Sequence, residues 1–338
     1  QKRIVEQVER LMAMCDELEK KKEKRDQKRL SLNNASLEKL LASREADEFR
    51  DHWGRICENF DILYDSPGNV VKLKQAILQL AVMGKLVPQD PNDEPAAVLL
   101  EKIKEEKERL IKEGKIKKQD PLPPIAEDEM PYKLPKGWEW IYLNDTAEIV
   151  RGGSPRPAGD QLFYDGDIPF LKVADLTSNE DMYLPSYTYT IKEAGLKKTR
   201  FVNANTLMLT NSGATLGIPK ICCFDTTFND GIAAFLNVPA EIYLPYIYYF
   251  LKSRTKWFLE FASRGQGQPN INTDIIKLTL FPLPPLNEQK RIVARVERLM
   301  SYCDRLQENL QDKNAKSANL FNAVVNHLQD FSRGPRRT

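Results

Sequence analysis

The feature that most constrains this chain is that its sequence contains one element twice. Residues 1–12 read QKRIVEQVERLM, and residues 289–300 read QKRIVARVERLM. The correspondence continues without a gap, so that residues 1–40 match residues 289–328. The chain therefore contains two copies of one structural element, which flank residues 41–288 in the sequence.

Each copy has the pattern of a long helix with a narrow apolar seam. Apolar side chains recur at alternating steps of four and three residues, which is the a/d spacing of a heptad helix. Neither copy contains Gly or Pro, and a helix of about forty residues is roughly 60 Å long. Such a seam needs a partner helix, and we expect each copy to pair with the other. The predicted seam is Ile4, Val8, Leu11, Cys15 and Leu18 in the first copy, and Ile292, Val296, Leu299, Cys303 and Leu306 in the second.

The cysteine and histidine content narrows the class of protein. Five scattered cysteines without a C-x-x-C pair, and only two histidines, disfavour a zinc site and a disulfide framework. No apolar run approaches the roughly 20 residues that span a bilayer, and no secretion leader is recognisable. We expect a cytoplasmic protein with no metal site and no membrane segment.

Changes in composition divide the chain into five parts. The central part is rich in short β-branched and aromatic runs such as TLMLT and KICCF, with one apolar helix near residues 243–261. This pattern predicts an α+β globular domain with a mixed or antiparallel sheet. The predicted parts are the first repeat helix (1–44), a helical region with a Pro-rich acidic linker (45–131), the globular domain (132–288), the second repeat helix (289–330) and a basic tail (331–338).

No motif for catalysis is recognisable. The chain has no Walker A sequence, and the glycine-rich segment 152–160 lacks the G-x-G-x-x-G spacing. It also lacks the Asn-Pro-Pro-aromatic tetrad with which an adenine methyltransferase holds a flipped base. We therefore expect a protein that is not itself an enzyme.

Three loops of the globular domain combine small residues with side chains suited to DNA. Arg, Asn and Gln read base edges, while Lys, Ser and Thr hold phosphates. These types are also common in ordinary turns, and the nearly neutral charge of the domain argues mildly against strong binding of DNA. The candidates are Arg151, Ser154 and Arg156 in the first loop, Thr210, Asn211, Ser212, Thr215 and Lys220 in the second, Arg264, Gln266 and Gln268 in the third, and Lys172 outside them.

Several stretches together resemble the specificity subunit of type I restriction–modification systems. They cover most of the chain at the spacing that is usual in that family. The stretches are KLKQAILQLAVMGKLVPQDPNDEPA (72–96), LPKGWEWIYLND (134–145), RGGSPRP (151–157), IPFLKVADL (168–176), NSGATLG (211–217) and FPLPPLNEQKRIVARVERLM (281–300).

The resemblance implies a non-catalytic subunit that recognises double-stranded DNA in defence against foreign DNA. Members carry two target recognition domains, each of which reads half of a split site, separated by conserved helices that pair as an antiparallel coiled coil. The partners implied are methyltransferase subunits, which carry S-adenosylmethionine, and restriction subunits, which use ATP and magnesium. This chain itself is expected to bind no cofactor.

The sequence departs from the family pattern because it contains a single recognition-type domain, residues 132–288. It resembles the second half of a specificity subunit, either as a trimmed fragment or as a natural half-subunit that works as a homodimer. Two other classes of protein remain open from the residues alone. One is a coiled-coil adaptor whose globular domain binds protein instead of DNA, and the other is a stand-alone nuclease, for which no motif is found.

Overall fold

The computed structural model describes residues 2–114, 116, 122–262 and 270–332, and side chains of the last helix up to residue 319, except residue 318. The chain divides into two compact units. We call residues 1–77 together with 297–338 the helical unit, and residues 78–296 the mixed unit. The third predicted loop, with Arg264, Gln266 and Gln268, lies outside the described residues, as does the tail from residue 333 onward.

Four helices lie at or near the start of the chain, and a very long one ends it. As the absence of Gly and Pro predicts, the first repeat copy forms one unbroken helix. These helices are α1 (Lys2–Ala42), α2 (Ala46–Glu58), α3 (Phe60–Leu63), α4 (Pro67–Val82) and, at the end of the chain, α11 (Leu286–Ser332).

The prediction that the second repeat copy covers the seam of the first is wrong within this chain. Cys15 is exposed, and the other seam side chains of α1 are 52–68% exposed: Ile4, Val8, Leu11 and Leu18. Only the last quarter of α1 is buried, at Asn33, Leu37 and Leu40. The physical reason is that the chain turns back directly after α1, and the short helices α2 and α3 contact its carboxyl-terminal end.

The second copy has a different partner. Lys74 of α4 forms an ion pair with Asp304 of α11 at 2.5 Å, and its ammonium also donates to the Gln307 side chain at 2.9 Å. Cys303 is 5% exposed. Within the helical unit, α4 therefore contacts the second copy at Asp304 and Gln307, beside the buried seam residue Cys303.

The mixed unit contains the predicted α+β domain. Its helices are α5 (Ala96–Lys112), α6 (Leu143–Thr146), α7 (Val173–Leu176), α8 (Glu193–Leu196), α9 (Leu244–Ala262) and α10 (Thr273–Lys277). Its strands are β1 (Glu139–Tyr142), β2 (Glu148–Arg151), β3 (Tyr164–Leu171), β4 (Tyr183–Leu184), β5 (Thr190–Ile191), β6 (Arg200–Val202), β7 (Thr206–Thr210), β8 (Pro219–Cys222), β9 (Thr226–Phe228), β10 (Ile232–Leu236) and β11 (Leu280–Leu283).

The sheets are mixed, which confirms the predicted fold class. The larger sheet has the strand order β2-β10-β7-β8-β4, and the second has the order β5-β3-β9-β6. Most neighbouring strands are antiparallel, whereas β4 runs parallel to β8 and β3 runs parallel to β9. All five residues of β7 are buried, so this central strand lacks the alternation of a half-exposed strand.

Glycines end the two helices that precede the sheets. Gly84 follows α4 with φ 69° and Gly114 follows α5 with φ 72°, a conformation that favours glycine after a helix. At Gly84 an added Cβ would lie 2.4 Å from Cγ of Pro135. This position therefore requires glycine for space as well as for backbone conformation.

Candidate nucleic-acid interface

The first predicted loop, residues 151–157, begins with Arg151 at the end of β2 and continues as loop 152–157, which lies against two other segments of the mixed unit. The Gly152 N–H donates to the Ile232 carbonyl at 3.1 Å and the Gly153 N–H donates to the Phe228 carbonyl at 3.1 Å. An added Cβ would lie 2.2 Å from the Asn229 carbonyl oxygen at Gly152, and 2.4 Å from the Lys198 carbonyl oxygen at Gly153. The two glycines therefore allow the loop to contact the β9–β10 turn and the segment before β6.

Asp230 in the β9–β10 turn contacts all three predicted side chains of this loop. The Ser154 hydroxyl lies 2.6 Å from one carboxylate oxygen, and the Arg156 guanidinium lies 3.7 Å from the other. Arg151 donates through Nε to the Asp230 backbone carbonyl at 2.6 Å. The structure thus brings these three candidates together around Asp230, while their contact with DNA stays a prediction. Our sequence analysis missed Asp230, whose only signal was the turn-forming Asp-Gly pair at residues 230–231.

Lys172, predicted outside the loops, lies near the same cluster. Its ammonium lies 3.5 Å from the centroid of the Tyr189 ring and 5.9 Å from that of the Tyr164 ring. The Tyr164 hydroxyl donates to the Pro155 carbonyl at 2.8 Å, and burial raises the pKa of that hydroxyl. The cation–π contact with Tyr189 orients Lys172. Tyr164 contacts both Lys172 and loop 152–157.

Three further cations that our sequence analysis did not select lie at this surface. Lys197, Lys198 and Arg200 are exposed, and Arg200 donates through Nε to the Arg151 carbonyl at 2.8 Å. Phe201, the next residue, is 55% exposed. The run KKTR at residues 197–200 was visible in the sequence, but a short basic run is more often a solvated surface. We call Arg151, Arg156, Lys172, Lys197, Lys198 and Arg200 the basic cluster.

Two candidates of the second loop have a structural role. The Thr210 hydroxyl donates to the Thr215 carbonyl at 2.7 Å and accepts from the Ile218 N–H at 2.9 Å. Lys220 is 1% exposed, and its ammonium donates to the Asn179 side-chain oxygen at 2.7 Å and to the Asp181 carbonyl. The prediction that Thr210 and Lys220 contact DNA is wrong, because both side chains are buried and form hydrogen bonds within the protein.

Asn211 is also buried, with 1% of its surface exposed. Its backbone N–H donates to the Gly231 carbonyl at 2.9 Å, and its carbonyl accepts from the Ile271 N–H at 2.8 Å. Neither polar atom of its side chain has a hydrogen-bond partner among the described residues. The prediction that Asn211 contacts DNA directly is wrong, since its side chain does not reach the surface.

The remaining candidates of the second loop stay at the surface. Ser212 is half-buried and Thr215 is exposed. A Cβ added at Gly231 would lie 2.7 Å from the Ser212 hydroxyl. Ser212 therefore lies beside the turn that carries Asp230, next to the basic cluster.

The described residues contain no group of three or more His, Cys, Asp or Glu side chains placed to hold a metal ion. None of the helices within these ranges is both long and apolar enough to cross a membrane.

A family model and the sequences of known proteins indicate the same family for this chain. The model of the type I restriction modification DNA specificity domain matches residues 135–313. The EcoAI specificity subunit of Escherichia coli is 33% identical over 333 residues, which cover 96% of this chain and 56% of that protein. The EcoEI specificity subunit of Escherichia coli is 33% identical over 339 residues, with the same coverage of 96% and 56%. This chain therefore spans about half the length of these relatives.

A solved structure, the HsdS subunit from Thermoanaerobacter tengcongensis, also aligns with this chain. The TM-score is 0.48 and the sequence identity 16%, over 90% of this chain and 57% of that one.

Proposed function

Because the chain belongs to the type I restriction modification DNA specificity family, we propose that its mixed unit reads one part of a double-stranded DNA site. The observation that supports this most directly is the basic cluster. Strand β2, loop 152–157, Lys172 and residues 197–200 bring six cations to one surface, although the sequence as a whole has a net charge of only +2. Clustered cations beside polar side chains are what DNA binding requires.

The cluster divides into two kinds of contact. Arg151 is held by a hydrogen bond to the Asp230 carbonyl, whereas Arg156 is only loosely paired with the Asp230 carboxylate. Both guanidinium groups suit a guanine edge in the major groove. Lys197, Lys198 and Arg200 are exposed beside them and suit phosphates, which position a protein without reading sequence. Ser154, Ser212 and Thr215 add hydroxyl groups at the same surface.

We assign catalysis to partners. In this proposal the chain is a non-catalytic specificity subunit that assembles with methyltransferase and restriction subunits in the cytoplasm. S-adenosylmethionine, ATP and magnesium then belong to those partners. The exposed seam of α1 supports a role for the helical unit in assembly, because an uncovered heptad face favours pairing with another helix. A homodimer of half-subunits is one form of that assembly and would read a palindromic split site.

The test is to map methylated adenines in DNA after incubation with methyltransferase subunits, with and without this chain. We expect methylation at one defined bipartite sequence only when the chain is present. Methylation that is unchanged by the chain would contradict the proposal and favour a protein-binding adaptor. A palindromic site indicates the homodimer, and an asymmetric site indicates a second, different recognition domain.

A further inference from the structure

We propose that Asp230 is a specificity-determining residue, which sets how strongly the chain prefers its own site over other DNA. The inference rests on the proposed function, because it assigns a role within the same surface. Asp230 would act in two ways, by orienting the polar side chains of loop 152–157 and by withholding Arg156 from phosphates at unrelated sequences.

The contacts of Asp230 show the orienting role. One carboxylate oxygen lies 2.6 Å from the Ser154 hydroxyl, which donates to it, and the other lies 3.7 Å from the Arg156 guanidinium. The backbone carbonyl of Asp230 fixes Arg151 at 2.6 Å. One residue thus contacts all three candidate side chains, Arg151, Ser154 and Arg156, and it uses a different oxygen for each.

The turn that carries Asp230 is itself tied to the sheets. The Asn229 N–H donates to the Leu171 carbonyl at 2.9 Å, and the Gly231 N–H donates to the Asn229 side-chain oxygen at 3.2 Å. The Asn211 N–H donates to the Gly231 carbonyl at 2.9 Å. A carboxylate on such a turn has a fixed position, and a fixed acceptor orients its donors without further loss of conformational freedom.

The charge of Asp230 supports the second role. A carboxylate within a basic cluster repels DNA phosphates, so it weakens binding that depends only on the backbone. It is also a poor source of stability here, because the side chains of Arg156 and Asp230 are 71% and 42% exposed and exposed ion pairs contribute little. A residue that opposes non-specific binding in this way raises discrimination between partners.

The Asp230 carboxylate weakens non-specific DNA binding mainly by competing with phosphates for Arg156. Its ion pair with Asp230 is loose at 3.7 Å, so a guanine edge with two acceptors can displace the carboxylate where the sequence is right. At an unrelated sequence, a phosphate must compete with the carboxylate for the same guanidinium. Without the carboxylate, Arg156 binds phosphates of any sequence.

The test is Asp230→Asn in the complete complex with its methyltransferase subunits. Binding is measured, at several salt concentrations, to a duplex that carries the mapped methylation site and to one with the same bases scrambled. We expect tighter binding to the scrambled duplex, with a salt dependence steeper by about one unit of slope. The ratio of specific to non-specific affinity should fall about tenfold or more.

Two further variants separate a specificity role from a change in charge or in fold. Glu94→Gln removes a carboxylate of similar exposure that pairs with Lys102 at 2.7 Å, and it should leave the affinity ratio unchanged. In an Arg156→Ala background, Asp230→Asn should tighten binding to the scrambled duplex much less, because only the direct repulsion between the carboxylate and phosphates is then relieved. Asp230→Ser provides a second removal of the carboxylate, and thermal melting of each variant confirms that it is folded.

The outcomes distinguish this inference from the proposed function. If the wild-type complex binds both duplexes equally, the proposed function fails. If the wild type discriminates and Asp230→Asn keeps the wild-type ratio, the function stands and the role of Asp230 is refuted. A fall in the ratio that persists in full in the Arg156→Ala background would also refute the route through Arg156.

Discussion

At the scale of single residues, burial decides whether a lysine binds DNA or supports the fold. Lys220 lies on β8, is 1% exposed and donates to oxygens of Asn179 and Asp181. Burial lowers the pKa of its ammonium. Lys198 is exposed beside loop 152–157. The two lysines therefore have opposite roles, which mutation can separate.

We predict that Lys220→Ala lowers the free energy of unfolding by about 2 kcal/mol or more, because it removes a buried side chain together with its hydrogen bonds to Asn179 and Asp181. DNA affinity of the folded variant should change little. Denaturant unfolding followed by tryptophan fluorescence measures the effect. Lys256→Ala is the matched control, since its side chain is 79% exposed, and its unfolding curve should overlay that of the wild type. A stable Lys220→Ala protein with weak DNA binding would contradict this assignment.

We predict that Lys198→Ala weakens binding to all duplexes alike and reduces the salt slope by about one unit, as the loss of one phosphate contact does. Titration of a specific and a scrambled duplex at several salt concentrations measures both quantities. Lys256→Ala again serves as the control and should leave the slope unchanged. A loss confined to the specific duplex would instead show that Lys198 reads a base.

Part of this surface could be predicted from residue types in the glycine-rich segment RGGSPRP. The structure brings together its three candidates, Arg151, Ser154 and Arg156. The same reasoning failed at Thr210 and Lys220, because β7 and β8 are buried along their whole length and show no alternation that would mark an exposed face. Asp230 was missed since its role depends on contacts across the sheet, 76 residues from Ser154.

At the scale of elements, the amino-terminal end of α11 is fixed by a buried polar network. Glu288 is 1% exposed, and it accepts from the Trp138 indole at 3.0 Å and from the Gln89 amide at 3.4 Å. Arg291, one turn further on, forms a two-point ion pair with Asp93 at 3.2 and 2.6 Å. The first residues of α11, which belong to the mixed unit, are thereby fixed within that unit.

Burial raises the pKa of Glu288 above its ordinary value of 4.5, although the donors Trp138 and Gln89 oppose that shift. A raised pKa in the folded state means that folding favours the protonated form, so its contribution to stability is present at low pH and is lost as pH rises. We predict that the stability of the wild type relative to Glu288→Gln falls as pH increases from about 4.5. Unfolding at a series of pH values measures this difference.

Glu139→Gln, at an exposed carboxylate in β1, is the control for the Glu288 experiment, because it makes the same chemical change at a site that is not buried. A difference between wild type and Glu288→Gln that rises with pH would show that hydrogen bonding, rather than burial, dominates at Glu288.

Helices were easier to predict than strands. The two repeat helices were predicted from their heptad spacing, and the apolar helix near residues 243–261 from its composition. Strand assignment at prolines is harder. Pro282 lies in β11, opposite Trp140 of β1. A two-stranded sheet leaves one edge of each strand unpaired, where the missing N–H of proline costs nothing.

At the scale of the whole molecule, the repeat shows that one sequence has two environments. Ile4 is 68% exposed while its counterpart Ile292 is fully buried, and Val8 is 53% exposed while Val296 is fully buried. The heptad spacing correctly predicted two long helices. It could not predict which elements cover each seam, because that depends on what the chain places beside each copy.

The unequal burial leads to opposite predictions for the same substitution in the two copies. Val296→Asp places a carboxylate in a buried site and should lower the free energy of unfolding by about 3 kcal/mol or more. Val8→Asp should leave the unfolding of the single chain unchanged, but it should weaken assembly through the seam of α1. Denaturant unfolding measures the first effect, and light scattering of the chain, alone and with methyltransferase subunits, measures the second.

Glu9→Gln, one residue further along the same exposed helix, is the control for Val8→Asp, because it lies off the a/d seam and should leave assembly unchanged. If Val8→Asp assembles like the wild type, the exposed seam is not an assembly surface. If it unfolds more easily as an isolated chain, the seam is covered within the monomer. The two readouts together decide whether the first repeat copy serves folding or association.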